Sequence, residues 1–355
     1  MDQRPIIERQ RQWWRRENTQ VLVGHYFPVT VPYEGLDNDV APQDIGWRKQ
    51  ANAEANMKAA ETAGSDMLVV ERVDFSVAMV PAIAGAGYAR DQHTSWSVPV
   101  AEQIGDVRIK PFNRADPLWV QYEQRLEDLL KHWAWDSYLP SLADYLGPMD
   151  ILAGMMGPEN LALAMIEEPM EVQKRAMDAA DFLVDMIAYE VGLHRSAGMR
   201  DGVTDGFEVW LEGTGVRGSE DFAALVGLDH FRQFFVEPLS RVYGSLNSCF
   251  LHTHSAAIQC FPGILEVHNL GAVELGNDPG GPGWERRVAA GRLVQAAGKP
   301  LQMGSWNVPL PREQMEAIVR GLDQRGLMVR FQAANAAEAR ELGAAVREWG
   351  ASGRV

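Results

Sequence analysis

The chain has 355 residues, 46% hydrophobic and 23% charged, with a formal net charge of −15, the balance of an ordinary globular protein. The acidic balance and the lack of Lys/Arg clusters argue against a nucleic-acid partner. Charges interrupt every apolar run short of membrane-spanning length, so no membrane partner is expected either.

The N-terminus, Met-Asp-Gln-Arg-Pro-Ile-Ile-Glu, lacks the apolar core of a secretory signal, which points to the cytoplasm. A helix is expected over Ile6 to Asn18, its Trp13-Trp14 pair serving as an interface or as a cap on the floor of the fold. The first strand, Val21 to His25, delivers His25 and Tyr26. A helix over Arg48 to Ala63 precedes a strand over Met67 to Val70, which delivers Glu71 and Asp74. Helices follow over Pro117 to Trp133 and over Met170 to His194, where Val172, Met177, Phe182, Leu183, Met186, Ile187 and Val191 recur at helical spacing.

A strand over Phe207 to Leu211 delivers Glu212. The next stretch, Gly213-Thr-Gly-Val-Arg-Gly218, fits the dinucleotide-binding string G-x-G-x-x-G. It lies far from the first β-α unit, and the expected helix starts only at Ser219, so it reads as a flexible loop. Asp229 to Tyr243 reads as a helix and Ser248 to His252 as a strand that delivers His252 and His254. Ala272 to Leu275 delivers Glu274 and Asn277-Asp278. After a helix over Trp284 to Ala297, the strand Leu301 to Met303 delivers Ser305-Trp306-Asn307. A helix over Arg312 to Arg325 stops at Gly326; the strand Leu327 to Phe331 delivers Gln332, and a helix over Ala336 to Trp349 closes the chain.

Strands separated by amphipathic helices imply parallel β-α units. With this many units and no linker, the expected fold is α/β: a single (β/α)8 TIM barrel over residues 1–355, with an N-terminal helical extension. Chemistry in such a barrel belongs to the C-terminal ends of the strands. Residues at i and i+2 on a strand point to one side, so His252 and His254 converge. With Glu212 and Glu274 they form the candidate catalytic group, as metal ligands or as proton-transfer partners. His25, Tyr26, Glu71, Asn277, Trp306 and Gln332 are the candidate substrate contacts. The plainer reading leaves one imidazole packed inside, Glu71 capping a helix and Trp306 in the core. Cys249 and Cys260, the only cysteines, form no C-x-x-C motif.

Several segments together resemble the uroporphyrinogen decarboxylase superfamily, which includes cobamide-dependent methyltransferases on a (β/α)8 barrel. They are Tyr138-Leu-Pro140 with Leu146-Gly-Pro-Met-Asp-Ile151, Ile166-Glu-Glu-Pro-Met170, the stretch from Trp210 to Asp221, His230 to Pro238, and Phe250-Leu-His-Thr-His254. The likeness spans roughly residues 60–350 and is closer to the methyltransferases. The arginine-rich early segment that grips tetrapyrrole carboxylates has no counterpart after Tyr26-Phe-Pro28, and no histidine follows His268.

The family's zinc methyltransferases bind metal through His-x-Cys and a distant cysteine. Here His252 stands at the histidine and His254 at the first cysteine position, and Val329 to Ala333 holds no cysteine. The family's thiolate-rich zinc site is therefore not expected in its usual form; zinc would fall to His252 and His254 with Glu212 or Glu274 as the carboxylate, Cys260 being the weaker candidate. The resemblance implies methyl transfer between a small methylated substrate and a corrinoid. Asp91-Gln-His-Thr-Ser-Trp96 begins like a cobalamin-binding signature but ends in Trp, so the corrinoid is expected on a separate protein. That partner would dock at a mouth rimmed by His25, Tyr26, His93, Trp96 and Trp306. The many tryptophans and the family habit both hint at a homodimer. The alternatives are a metal-free decarboxylase or lyase acting on a small acid, and a non-catalytic ligand-binding barrel.

Overall fold

The computed structural model describes residues 1–26, 36–92, 94–304 and 309–352. Seven strands pair in parallel, in the order Leu22–Tyr26, Leu327–Gln332, Leu301–Met303, Ala272–Leu275, Ser248–Thr253, Gly215–Ser219 and Tyr145–Leu146. Every residue of Ser248–Thr253 is buried, as expected of a parallel strand covered on both faces. Helices Trp284–Ala296, Arg312–Gly321 and Ala336–Ser352 alternate with the last strands, each within a few residues of its expected bounds.

Register explains why this sheet can carry a polar site. Ser219 pairs with His252, His252 with Glu274, and Glu274 with Gln302, so these four side chains lie in one row on one face. The alternate positions Leu251, Val273, Leu275, Leu301 and Met303 are apolar and join the main hydrophobic core. Strands of this composition present an apolar face to the hydrophobic core and their polar side chains to the opposite face of the sheet.

Outside the seven-stranded sheet, Val70–Glu71 pairs in parallel with Leu139–Pro140. Asp66 N–H donates to Val23 O at 2.8 Å, and Val23 N–H donates to Asp66 Oδ2 at 2.9 Å. The segment 139–146 bonds on one side through Ser141 N–H to Glu71 O at 2.8 Å. Beyond its other end Gly147 N–H reaches Ser219 O at 2.6 Å.

Three expectations are corrected here. Trp210–Glu212 is not a strand of the main sheet; it pairs antiparallel with Gly202–Thr204. The expected loop after it holds the sheet strand, Gly215–Ser219. Gly213 turns the chain at φ +67°, a conformation open to glycine. A Cβ on Gly215 would lie 2.6 Å from Leu211 Cβ and 3.0 Å from Ser248 O, so glycine lets the hairpin pack against the strand. The expected Asp229 to Tyr243 helix is two, Leu228–Phe234 and Val236–Tyr243. Pro238 has no N–H to continue the ladder back to Phe234.

The N-terminal helix, Arg4–Trp14, covers the N-terminal ends of the strands. Trp13 is fully buried with its ring 6.1 Å from Phe250, and Trp14 Nε1 donates to Trp210 O at 2.8 Å. Gln10 bridges Asp66 O at 2.9 Å and Trp210 N–H at 2.7 Å. The C-terminal strand ends are thus on the side away from this helix. Among the described residues no helix is long and apolar enough to cross a membrane.

Candidate functional site

His252 and His254 meet as their spacing requires, with ring centroids 5.0 Å apart and planes at 76°. The Nδ1–H of His252 donates to the carboxylate of Glu274, its neighbour in register, which is 1% exposed. A carboxylate only accepts, so this bond sets the tautomer and makes Nε2 the nitrogen able to coordinate. Phe207 stacks on the His252 ring at 4.9 Å and 25°, fixing its plane.

His254 is held in the same way. Its Nδ1 bonds Asp278 Oδ1 at 2.7 Å, and the other Asp278 oxygen accepts from Ser255 N–H at 2.5 Å and Ser255 Oγ at 2.8 Å. Its Nε2 lies 3.2 Å from Asp221 Oδ1. Asp221 accepts from Ser219 Oγ at 2.5 Å. Its backbone is fixed by Asp150, whose two oxygens accept the N–H groups of Asp221 and Phe222 at 2.8 Å each.

The charges follow from these contacts. Hydrogen bonds to Asp221 and Asp278 lift His254 to about 10. Burial opposes ionisation of Asp221, but the bonds from His254 and Ser219 outweigh it and hold the carboxyl at about 2. Asp278 also sits at about 2, where bonds from His254 and Ser255 overcome its burial. Burial, then the charge of Asp221, pushes Asp150 well above the carboxylate range. A metal entering here would displace the His254 proton, since only neutral imidazole coordinates.

Asp221, His252 and His254 each offer a donor atom within 4.8 Å of the other two. Two imidazole nitrogens and a carboxylate oxygen suit a divalent transition metal such as zinc. Both imidazoles also carry a carboxylate on Nδ1, the usual support of metal-binding histidines. The three open onto a cavity of about 430 Å³ whose other walls include Arg72, Asp144, Leu146, Phe207 and Arg217.

The structure therefore brings His252, His254 and Glu274 together, with Glu274 behind His252. It does not bring Glu212. That residue lies beside the N-terminal helix, ion-paired with Arg11 at 2.7 Å, and its carbonyl accepts from Ser248 Oγ at the start of the histidine strand. The set His252, His254 and Glu212 is corrected: Glu212 lies away from the imidazoles, and the carboxylate beside both of them is that of Asp221. The cause is the hairpin, which turns Glu212 to the far end while Gly215–Ser219 points Asp221 into the cavity.

His25, Glu71, Asn277 and Gln332 sit at or just past strand ends but are not among the described residues lining this cavity. His25 is buried and lowered to about 4, by burial and then by Arg330. Burial raises Glu71 to about 7. The Tyr26 side chain, His93 and Trp306 lie outside the described residues. Trp96 is exposed on the Ser95–Val98 strand of a hairpin. Cys249 and Cys260 are buried, and burial raises their thiols to about 12 and 11, so neither resembles a metal thiolate.

Reading the sequence missed Asp221, Arg72, Asp144 and Arg217 as site residues. A strand placed at Gly215–Ser219 would have flagged Asp221 two residues past its end and Arg217 on the inward row.

No protein-family model matches the chain, and no curated protein matches it in sequence. Among solved structures it is similar to a methyltransferase from Methanosarcina mazei, with a TM-score of 0.62 and 12% identity over 96% of this chain and 97% of that one. The chain thus shares an α/β fold, over nearly its full length, with a structure described as a methyltransferase.

Proposed function

We propose that this protein is a metal-dependent methyltransferase of the uroporphyrinogen decarboxylase-like class. In this reading it moves a methyl group between a small methylated substrate and a corrinoid on a separate protein. The strands close into a (β/α)8 barrel in which the segment 139–146 is the third strand, a reading supported by its bonds to Glu71 O and the bond from Gly147 to Ser219 O. The likeness in fold to a methyltransferase over nearly the full chain also supports it.

The observation that carries the proposal is the convergence of Asp221, His252 and His254, each imidazole backed by its own carboxylate. These three residues would hold zinc, which when bound supplies Lewis acidity that polarises the substrate's ether oxygen or amine nitrogen. Glu274 and Asp278 keep the Nδ1 protons in place and the rings oriented. Phe207 holds the His252 ring and forms an apolar wall of the cavity. Asn277 and Gln332, with Tyr26 and Trp306, are proposed as substrate contacts. A cytoplasmic homodimer completes the proposal.

Metal analysis of tag-free protein tests this reading, together with visible spectra of methylcobalamin during incubation with candidate substrates. The proposal expects one equivalent of zinc, lost in His252→Ala, and methylation or demethylation of the cobalamin. A second reading, a metal-free lyase acting on a small acid, is favoured by Arg72 and Arg217 in the cavity wall. Carbon dioxide release by metal-free protein would decide for it.

A further inference from the structure

The cavity has a second chemical end. Arg217 is almost fully buried, at 5% side-chain exposure, and projects from the inward row of Gly215–Ser219. Its Nη2 bonds one oxygen of Asp144, while Arg72 Nη1 bonds the other. Asp144 therefore bridges two guanidiniums rather than meeting one of them with both oxygens. Each guanidinium carries five N–H donors, and among the described residues Arg217 is hydrogen-bonded through Nη2 alone. The buried Nε of Arg217 finds no partner among the described residues, and Arg72 meets Asp74 only at 3.4 Å.

A wall meant only for stability would not be built this way. Burying the cation of Arg217 against a carboxylate that it shares with the partly exposed Arg72 carries a desolvation cost that apolar packing avoids. Nearby acids are otherwise engaged. Asp205 accepts the N–H groups of Phe207 and Val209 through Oδ1 at 3.0 and 2.9 Å and forms no hydrogen bond to Arg217 among the described residues, its Oδ2 having no partner there, and Glu208 pairs with Arg330 at 3.1 Å. The guanidinium of Arg217 lies 4.3 Å over the ring of Phe207, the same ring that stacks on His252. One aromatic side chain thus links the arginine end to the histidine end. Val77 and Leu146 add apolar wall to the cavity.

We propose that the substrate of this site carries a carboxylate, bound by Arg72 and Arg217, on the same small molecule whose methylated heteroatom reaches Asp221, His252 and His254. The location of the reacting end rests on the methyl-transfer reading; the acid-binding end does not. A planar carboxylate matches the guanidinium fork, and charge-assisted bonds to it are strong.

The test is calorimetric titration of zinc-loaded protein with two matched pairs, 4-methoxybenzoate against 4-methoxybenzamide and methoxyacetate against methoxyacetamide. The acids are expected to bind at least about tenfold more tightly than their neutral amides. Arg72→Gln and Arg217→Lys should each remove that preference while zinc content stays unchanged. Equal binding of acid and amide, or no binding of either acid, overturns the proposal. If Arg217→Lys fails to fold, the wild-type comparison and Arg72→Gln decide alone. Acid-selective binding by a protein that holds no zinc would keep the carboxylate site and overturn the methyl-transfer reading.

Discussion

His252 and Glu274 are partners in register on adjacent parallel strands, and the imidazole Nδ1 donates directly to the buried carboxylate. The sheet itself, not a loop, therefore sets the tautomer of the histidine that faces the cavity. Replacing Glu274 with Gln keeps the shape but lets the ring adopt either tautomer. Zinc affinity should fall about 10–100-fold in Glu274→Gln, read by competition with a chelating dye. Unchanged affinity would mean that the carboxylate merely fills space.

Asp221 and Glu212 separate cleanly in space, the first beside both imidazoles and the second paired with Arg11. Asp221→Asn should lose tightly bound zinc, because it removes the oxygen donor next to both imidazoles. Glu212→Gln should retain zinc and lose only a partly exposed ion pair with Arg11, about 0–1 kcal/mol of stability. Zinc content and thermal unfolding of both variants check this, and loss of zinc from Glu212→Gln would contradict it.

That separation also shows what could be read in advance. The strands Ala272–Leu275 and Leu301–Met303 are short apolar runs between helical patterns and fall where expected. His252, His254 and Glu274 follow from them by alternation alone. Gly215–Ser219 reads Gly-Val-Arg-Gly-Ser, with one large apolar residue, and its strand forms because both edges find partners in Ser248–Thr253 and Tyr145–Leu146. Local propensity carries no trace of such pairing, so Asp221 and Arg217 stayed hidden. Leu139–Pro140 and Tyr145–Leu146 are two-residue strands, too short for any periodicity.

Gly215 makes that close packing testable. Gly215→Ala forces a Cβ to within 2.6 Å of Leu211 Cβ and 3.0 Å of a backbone oxygen, neither of which is the end of a flexible side chain. The variant should be destabilised by about 1–3 kcal/mol, seen as a lower midpoint in urea unfolding. Wild-type stability would show that the hairpin can slide without cost.

His194, on the long helix Pro169–Ser196, is fully buried, and neither ring nitrogen has a partner among the described residues. Burial lowers it to about 3, so the folded protein keeps it neutral where the unfolded chain, titrating near 6.5, takes up a proton. Its cost is absent above pH 6.5 and grows as pH falls toward 3, by roughly 1.4 kcal/mol per pH unit. His194→Leu should be at least as stable at pH 7 and should lose less stability than wild type on going to pH 5. Parallel stability–pH curves from urea melts would contradict this.

Crystals of protein grown without an affinity tag, measured on both sides of the zinc absorption edge, test the central claim most directly. The account predicts one anomalous peak about 2.0–2.2 Å from a carboxylate oxygen of Asp221 and from a ring nitrogen of each of His252 and His254. With zinc supplied, an empty cavity, or a peak held by other side chains, would contradict it.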